Sequence, residues 1–215
     1  MELYSYFRSS ASFRVRIALA LKGLAYDYVP VHLVKSEHLK PPFDTLLPAQ
    51  LIPLLKDDDA LIAQSIAIIE YLDETHPEPP LLPPDALGRA RVRAVSLDIA
   101  CEIHPINNLR VLRYLVREMK VSEDDKNTWY RHWVETGLET VERQLAHSPA
   151  TGRFCHGDAP GMADICLASV VAVMRVFKVE IDGIPTVLRV MAACEELDAF
   201  ARADPMKQAG APKAA

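Results

Sequence analysis

The segment PEPPLLPPDALG at 77–88 divides the chain. Proline fixes φ, lacks an amide donor and pushes the residue before it out of helical backbone, so a run this dense cannot lie inside a helix or sheet. It reads as a stiff linker, and the two sides of it have different periodicities. On the N-terminal side, ELYSYF (2–7) alternates like a half-buried strand, SFRVRIALALKG (12–23) is a helix ending at Gly23, and YDYVPVHL (26–33) is a strand again. That is a β-α-β unit with parallel strands. LIPLL (51–55), the turn KDDDA and LIAQ (61–64) follow as a hairpin, and SIAIIEYLDETH (65–76) as an amphipathic helix with Ile66, Ile69 and Leu72 on one side. Beyond the prolines, helical periodicity runs to about residue 203, broken by SPATGRFCHGDAPG (148–161) and DGIP (182–185); the tail KQAGAPKAA (207–215) reads as frayed.

The expected fold is therefore α/β plus all-α: a first domain at 1–80, a linker at 81–88 and an all-helical domain at 89–215. The order β-α-β then β-β-α is that of a thioredoxin-like domain. A net charge of −5 argues against a nucleic-acid binder, which needs a concentrated basic face. The N-terminus MELYSYFRSS has no basic stretch leading into an apolar core, so no signal peptide is read. The apolar stretch ICLASVVAVM (165–174) is too short to span a bilayer. Cys101, Cys155, Cys166 and Cys194 are far apart, without C-x-x-C or paired histidine spacing. They read as buried reduced thiols of a cytoplasmic protein, with no metal site.

A thioredoxin-like redox enzyme needs C-x-x-C where the first strand meets the first helix. Here that slot reads Ser9-Ser10-Ala11-Ser12, which excludes dithiol exchange. What remains is a helix start with hydroxyls. Either a serine is simply the N-cap, or the hydroxyls hold an anion; one pair of serines can do both. Gln64-Ser65 falls at a strand end and helix start, where Ser65 can cap the helix and present donors to a carboxylate. From the residues alone, Pro53 is a trans turn proline. Asp164 reads as N3 of a helix capped at Gly161, one half of a capping box and a structural residue.

Three arginines stand out. Arg8 ends the first strand. Arg110 follows HPINN, with Ile103 and Asn107 on the same helical face. Arg175 closes an apolar run. Each reads alone as a surface or dipole-compensating charge, but guanidinium also matches carboxylates bidentately. His104 precedes Pro105 and does not fit a regular helix, so a local kink is expected there.

Taken in order, SSASFRVRIALALKG, QSIAIIEYLDE and GDAPGMADICL resemble the zeta class of glutathione transferases, the maleylacetoacetate isomerase family. CEIHPINNLRVLRYL (101–115) resembles its bacterial maleylpyruvate isomerase branch. The resemblance covers about the whole chain and implies a homodimer whose first domain binds glutathione and whose helical domain binds a small dicarboxylate. It assigns Ser9, Ser10 and Ala11 to the surroundings of the glutathione sulfur. It makes the Ile52-Pro53 bond cis, with Ile52 pairing its backbone to the cysteinyl segment. It gives Gln64 and Ser65 to the γ-glutamyl carboxylate and His38 and Gln50 to the glycine end. It aims His104 and Asn108 at the cofactor and makes Arg8, Arg110 and Arg175 carboxylate clamps. The chain departs from the family at Ala11, where most members carry cysteine. The implied activity is glutathione-dependent cis–trans isomerisation of maleylpyruvate or maleylacetoacetate in aromatic catabolism. The alternatives are a general zeta-class transferase or dehalogenase and a non-catalytic glutathione-binding module.

Overall fold

The computed structural model describes residues 1–212. Residues 213–215, part of the tail expected to fray, lie outside the described residues. Four short strands, β1 (Glu2–Ser5), β2 (Asp27–Pro30), β3 (Leu54–Asp57) and β4 (Ala60–Ala63), form one sheet in the order β2-β1-β3-β4. β1 and β2 are parallel, with Glu2 opposite Asp27 and Ser5 opposite Pro30. Pro30, which cannot donate to a ladder, is on an edge strand. β3 runs antiparallel to both β1 and β4, and Asp57 pairs with Ala60 across a two-residue turn in which Asp58 is left-handed (φ 49°).

The parallel pair requires a crossover, supplied by α1 (Ser10–Leu21). This helix starts two residues before the expected position because Ser9 caps it. It ends where Gly23 turns left-handed (φ 66°) and Leu24 N–H reaches back to Leu19 O at 2.9 Å, a Schellman closure. Residues 11–19 of α1 are all buried, arginines included. On α3 (Ser65–Thr75) the buried face is Ser65, Ile68, Ile69 and Leu72; Ile66, expected there, is half-buried and Ile68 takes its place. Between β2 and β3 the chain makes two 3₁₀ turns, Leu33–Lys35 and Glu37–Leu39, and the single-turn α2 (Phe43–Leu46). Phe43 anchors this segment in a small core with Val31 and Leu54.

Lys22 ties this unit together. Its ammonium donates to Asp73 Oδ1 at 2.6 Å, His76 O at 2.7 Å and Pro79 O at 2.6 Å, and Asp73 Oδ1 also accepts from Leu81 N. The first half of the proline segment is thus fastened to the ends of α1 and α3. Its second half is not a free linker either: Leu82 is buried and Asp85 caps α4 (Ala86–Leu97) through Gly88 N–H at 2.8 Å. A Cβ at Gly88 would meet the Asp85 carboxylate at 2.7 Å and Pro83 Cβ at 3.0 Å, so the capping carboxylate would have to shift to admit one.

α4 runs into a π-helical turn, Asp98–Ile103, and a 3₁₀ turn, Pro105–Asn107. Then come α5 (Leu109–Arg117), α6 (Glu123–Ala146), α7 (Met162–Val176) and α8 (Pro185–Glu195). α7 is buried along most of its length, and Asp164 closes its start by accepting from Gly161 N at 2.9 Å and Cys155 N at 2.8 Å. Gly161 has no side chain to return a bond, so half a capping box is present, as expected. Glu142 caps α8, accepting from Thr186 N and Val187 N.

The chain divides into two compact units, Leu82–Cys194, and Met1–Leu81 together with the chain from Glu195 onward. The C-terminal segment, expected with the helical domain, thus belongs to the first unit. Its helix α9 (Asp198–Ala203) packs on α1. Beyond it, Gln208 Nε2 donates to Arg202 O and Asp204 O at 2.9 Å, so the tail is tied down where fraying was expected to begin.

Candidate active site

In the first unit, the turn after β1 carries Arg8, exposed, into the start of α1. Ser9 is the N-cap: its backbone is extended and its Oγ accepts from Ser12 N at 3.2 Å. The cap occupies one lone pair and leaves the hydroxyl proton, so Ser9 keeps a donor. Ser10, half-exposed, is the first helical residue. The first-turn amides of Ser10 and Ala11 point out of the helix end, where the peptide dipoles sum to positive potential. Ala11 is 8 % exposed, so a side chain there lies inward of both serines.

At the start of α3 the sequence reading needs correction. Ser65 does not cap the helix. The cap position is Gln64, exposed and with φ 71°, because the chain reverses sharply out of β4; it makes no side-chain cap bond. Ser65 is the first helical residue, and its Oγ faces inward to accept from Arg14 Nη1 at 3.3 Å. The Ile52-Pro53 bond is cis, where the residues alone read trans and the resemblance read cis. Ile52 is half-buried on the edge of the Phe43 core. Gln50 is half-buried with φ 52°, and His38 lies half-buried in the Glu37–Leu39 turn.

In the second unit, the irregularity expected at His104 is present, but it precedes that residue. The π turn offsets the carbonyls by one residue, with His104 N–H bonding Ile99 O at 3.0 Å, so His104 keeps helical backbone (φ −64°, ψ −44°) despite Pro105. Asn108 caps α5, its Oδ1 accepting from Arg110 N and Val111 N at 3.1 and 3.2 Å. That break also corrects the expected face: Ile103 and Asn107 are buried outside α5, whereas Arg110 is exposed on it. Arg175 is exposed in the last turn of α7. Cys101 is exposed on the π turn, against the expectation of burial; the other three cysteines are buried, and none of the four forms a disulfide.

Sequence reasoning assigned no role to two residues of the first unit. Arg14 and Arg16 are 2 % and 1 % exposed inside α1. The signal was available, since two arginines two positions apart cannot both reach solvent from a helix apolar on every side. Arg16 keeps its charge at neutral pH although burial draws its pKa down to about 10. Burial likewise pushes the Cys155 thiol and the Asp164 carboxyl up. Among the described residues no cluster of histidine, cysteine and carboxylate side chains could hold a metal, and no helix is long and apolar enough to cross a membrane.

A thioredoxin-like sheet with serines in place of the dithiol, in one chain with an all-helical unit, is the architecture of a glutathione transferase. Family models agree: residues 1–74 match the glutathione S-transferase N-terminal domain and residues 134–203 the C-terminal domain. The chain belongs to the glutathione transferases, and within them to the zeta class, the maleylacetoacetate isomerase family. It is 47 % identical to a maleylpyruvate isomerase from a Ralstonia species over 97 % of this chain and 98 % of that one. The holo structure of a maleylpyruvate isomerase, described as a bacterial zeta-class enzyme, superposes with a TM-score of 0.96 at 46 % identity, covering 99 % of this chain and all of that one. Maleylacetoacetate isomerase from Methylobacterium extorquens AM1, solved with malonate and glutathione, gives 0.95 at 40 % identity, covering 99 % and 100 %.

Proposed function

We propose that this chain is a glutathione-dependent cis–trans isomerase acting on maleylpyruvate or maleylacetoacetate. The observation that carries the reading is the start of α1, where hydroxyls and helix-end amides replace a redox dithiol in a chain 47 % identical to a maleylpyruvate isomerase. Glutathione, when bound, supplies the thiolate whose reversible addition to the cis double bond allows rotation about it.

The chain's own residues fit that group. Ser9 and Ser10 donate hydroxyl hydrogens toward the sulfur, and the α1 amides add positive potential; both favour thiolate over thiol. Ser65 accepts from Arg14 and still has its own hydroxyl proton, which it would donate to the γ-glutamyl carboxylate, with Gln64 beside it. Ile52 offers its backbone to the extended peptide, and His38 and Gln50 flank the glycine end. Asn108 has its oxygen occupied by the α5 cap and keeps its amide hydrogens for the cofactor, with His104 as its neighbour in that role. Arg8, Arg110 and Arg175 hold the carboxylates of the diacid and the charge that develops next to them. In this reading residues 1–80 take glutathione, the helical domain takes the second substrate, and the protein works as a cytoplasmic homodimer.

The test is to mix protein, the cis acid and a catalytic amount of glutathione. Complete conversion to the trans acid with glutathione recovered supports the isomerase. Consumption of glutathione mole for mole would make the protein a general transferase, and binding without turnover a non-catalytic module.

A further inference from the structure

Arg16 sits in the middle of α1, 1 % exposed, between Val15 and Ile17. Desolvating a guanidinium is far more costly than burying an aliphatic chain of the same volume, so its retention there requires a reason in its bonds. Those bonds go to three separate segments. Nη1 donates to Ser5 Oγ at 3.2 Å, Nη2 to Phe7 O at 3.1 Å and Nε to Ala203 O at 3.1 Å. The Phe13 ring covers the guanidinium, 5.4 Å from Cζ. All three acceptors are uncharged, so the arrangement serves geometry rather than charge neutralisation. A planar fork fixes three directions at once, which an ammonium cannot do.

The segments are the last residue of β1, the turn leading to Arg8, Ser9 and Ser10, and the last residue of α9. The turn is gripped twice, by Ser9 N–H on Tyr6 O at 2.9 Å and by Arg16 on Phe7 O. We propose that Arg16 is a positioning residue for the thiolate site, holding the β1–α1 turn from inside α1 and, through Ala203, making the C-terminal helix a brace for that turn. The inference rests on the reading that the glutathione sulfur is held at Ser9 and Ser10.

The experiment compares wild type, Arg16→Lys and Arg16→Met. One readout is the ultraviolet thiolate titration of bound glutathione; the other is calorimetric affinity for S-methylglutathione, which has no thiol to ionise. Arg16→Lys keeps charge and bulk but not the fork. It should raise the bound thiol pKa by about one unit, a tenfold fall in the acid dissociation constant. Affinity for S-methylglutathione should stay within about threefold, because the peptide ends are held elsewhere in the unit. Arg16→Met should show at least the same rise. A folded Arg16→Lys protein with the wild-type thiol pKa overturns the inference and leaves the site reading intact. So does a parallel loss of S-methylglutathione affinity, which would assign Arg16 to the fold alone. A wild-type protein whose bound glutathione titrates at its free value overturns the site reading and the inference with it. Should neither arginine variant fold, Ser5→Ala decides: it removes one acceptor and should raise the pKa by a few tenths, and an unchanged value overturns the proposal.

Discussion

Lys22→Met should be among the most damaging single changes in the first unit. The Lys22 side chain is fully buried and that of Asp73 is 10 % exposed. All three ammonium protons are in use, on Asp73, His76 O and Pro79 O. Methionine matches the volume, so packing survives and the loss is electrostatic. It leaves a nearly buried carboxylate with only Leu81 N–H and strips a donor from two carbonyls. Removing one partner of such a pair costs about 3–5 kcal/mol. At about 2–4 °C per kcal/mol for a chain of this size, the melting temperature should fall by about 6–20 °C. Calorimetry and guanidinium unfolding would measure it. The companion is Lys22→Met with Asp73→Asn, in which the asparagine oxygen still accepts from Leu81 N but no charge is stranded; it should recover about half the loss. Turnover per folded molecule should not change, since the length of α1, about 18 Å, separates Lys22 from Ser10. A single variant costing under about 1 kcal/mol, or a double variant no milder than the single, would refute the reasoning.

The serines should separate by readout: Ser9→Ala loses about 1 kcal/mol of stability with the cap, whereas Ser10→Ala leaves stability alone and raises the thiol pKa of bound glutathione. A thiolate titration in which Ser9→Ala alone moves the curve would name the cap serine as the sulfur's donor. Arg8→Ala and Arg110→Ala should each lower kcat/KM for the cis diacid by about 10- to 100-fold, the range for a hydrogen bond to a charged group on an exposed arginine. Conjugation of an uncharged aryl halide should be unaffected; equal losses on both substrates would assign these arginines to the fold or the cofactor. Asp164→Ala strands the amides of Cys155 and Gly161 and should cost about 2–5 kcal/mol by chemical denaturation, with kcat unchanged in the folded fraction. Aromatic-disulfide titration of the native protein should find Cys101 reactive and Cys155 inert, since burial holds the latter's thiol protonated.

The four strands, α1 and α3 were legible because each carries its own punctuation: alternation from residue 2, Gly23 closing α1, paired aspartates in the hairpin turn. The short turns and α2 between β2 and β3 carry none and were not read. That a serine could cap α1 was legible too, though not that it is Ser9. Where the sequence reading failed, the cause was non-local. Ser65 belongs chemically at an N-cap, but the cap position fell to Gln64 because β4 needs a left-handed residue to turn into α3. Ile66 lost its place in the core to Ile68 because the face of α3 that packs inward runs through Ser65, Ile68, Ile69 and Leu72. Arg110 was put on one face with Asn107 on the assumption of continuous helix, which the cap at Asn108 interrupts. Arg14 and Arg16 were given no role, since their acceptors lie on segments as distant as Ser65 and Ala203.

The return of the C-terminal segment to the first unit has a consequence for synthesis. On the ribosome, residues 1–81 emerge first, yet their unit is incomplete until 195–212 follow, after the whole of 82–194 has been made. At translation rates of about 5–20 residues per second that interval is roughly ten seconds. Through it the face of α1 that receives α9 is open and the Arg16 Nε–H lacks Ala203. The helical unit, contiguous in the chain, can complete its fold in that window. A fragment ending near residue 80 would carry both serines and Ser65 yet leave that face uncovered, whereas a fusion joining 1–81 to 195–212 by a flexible tether would restore it.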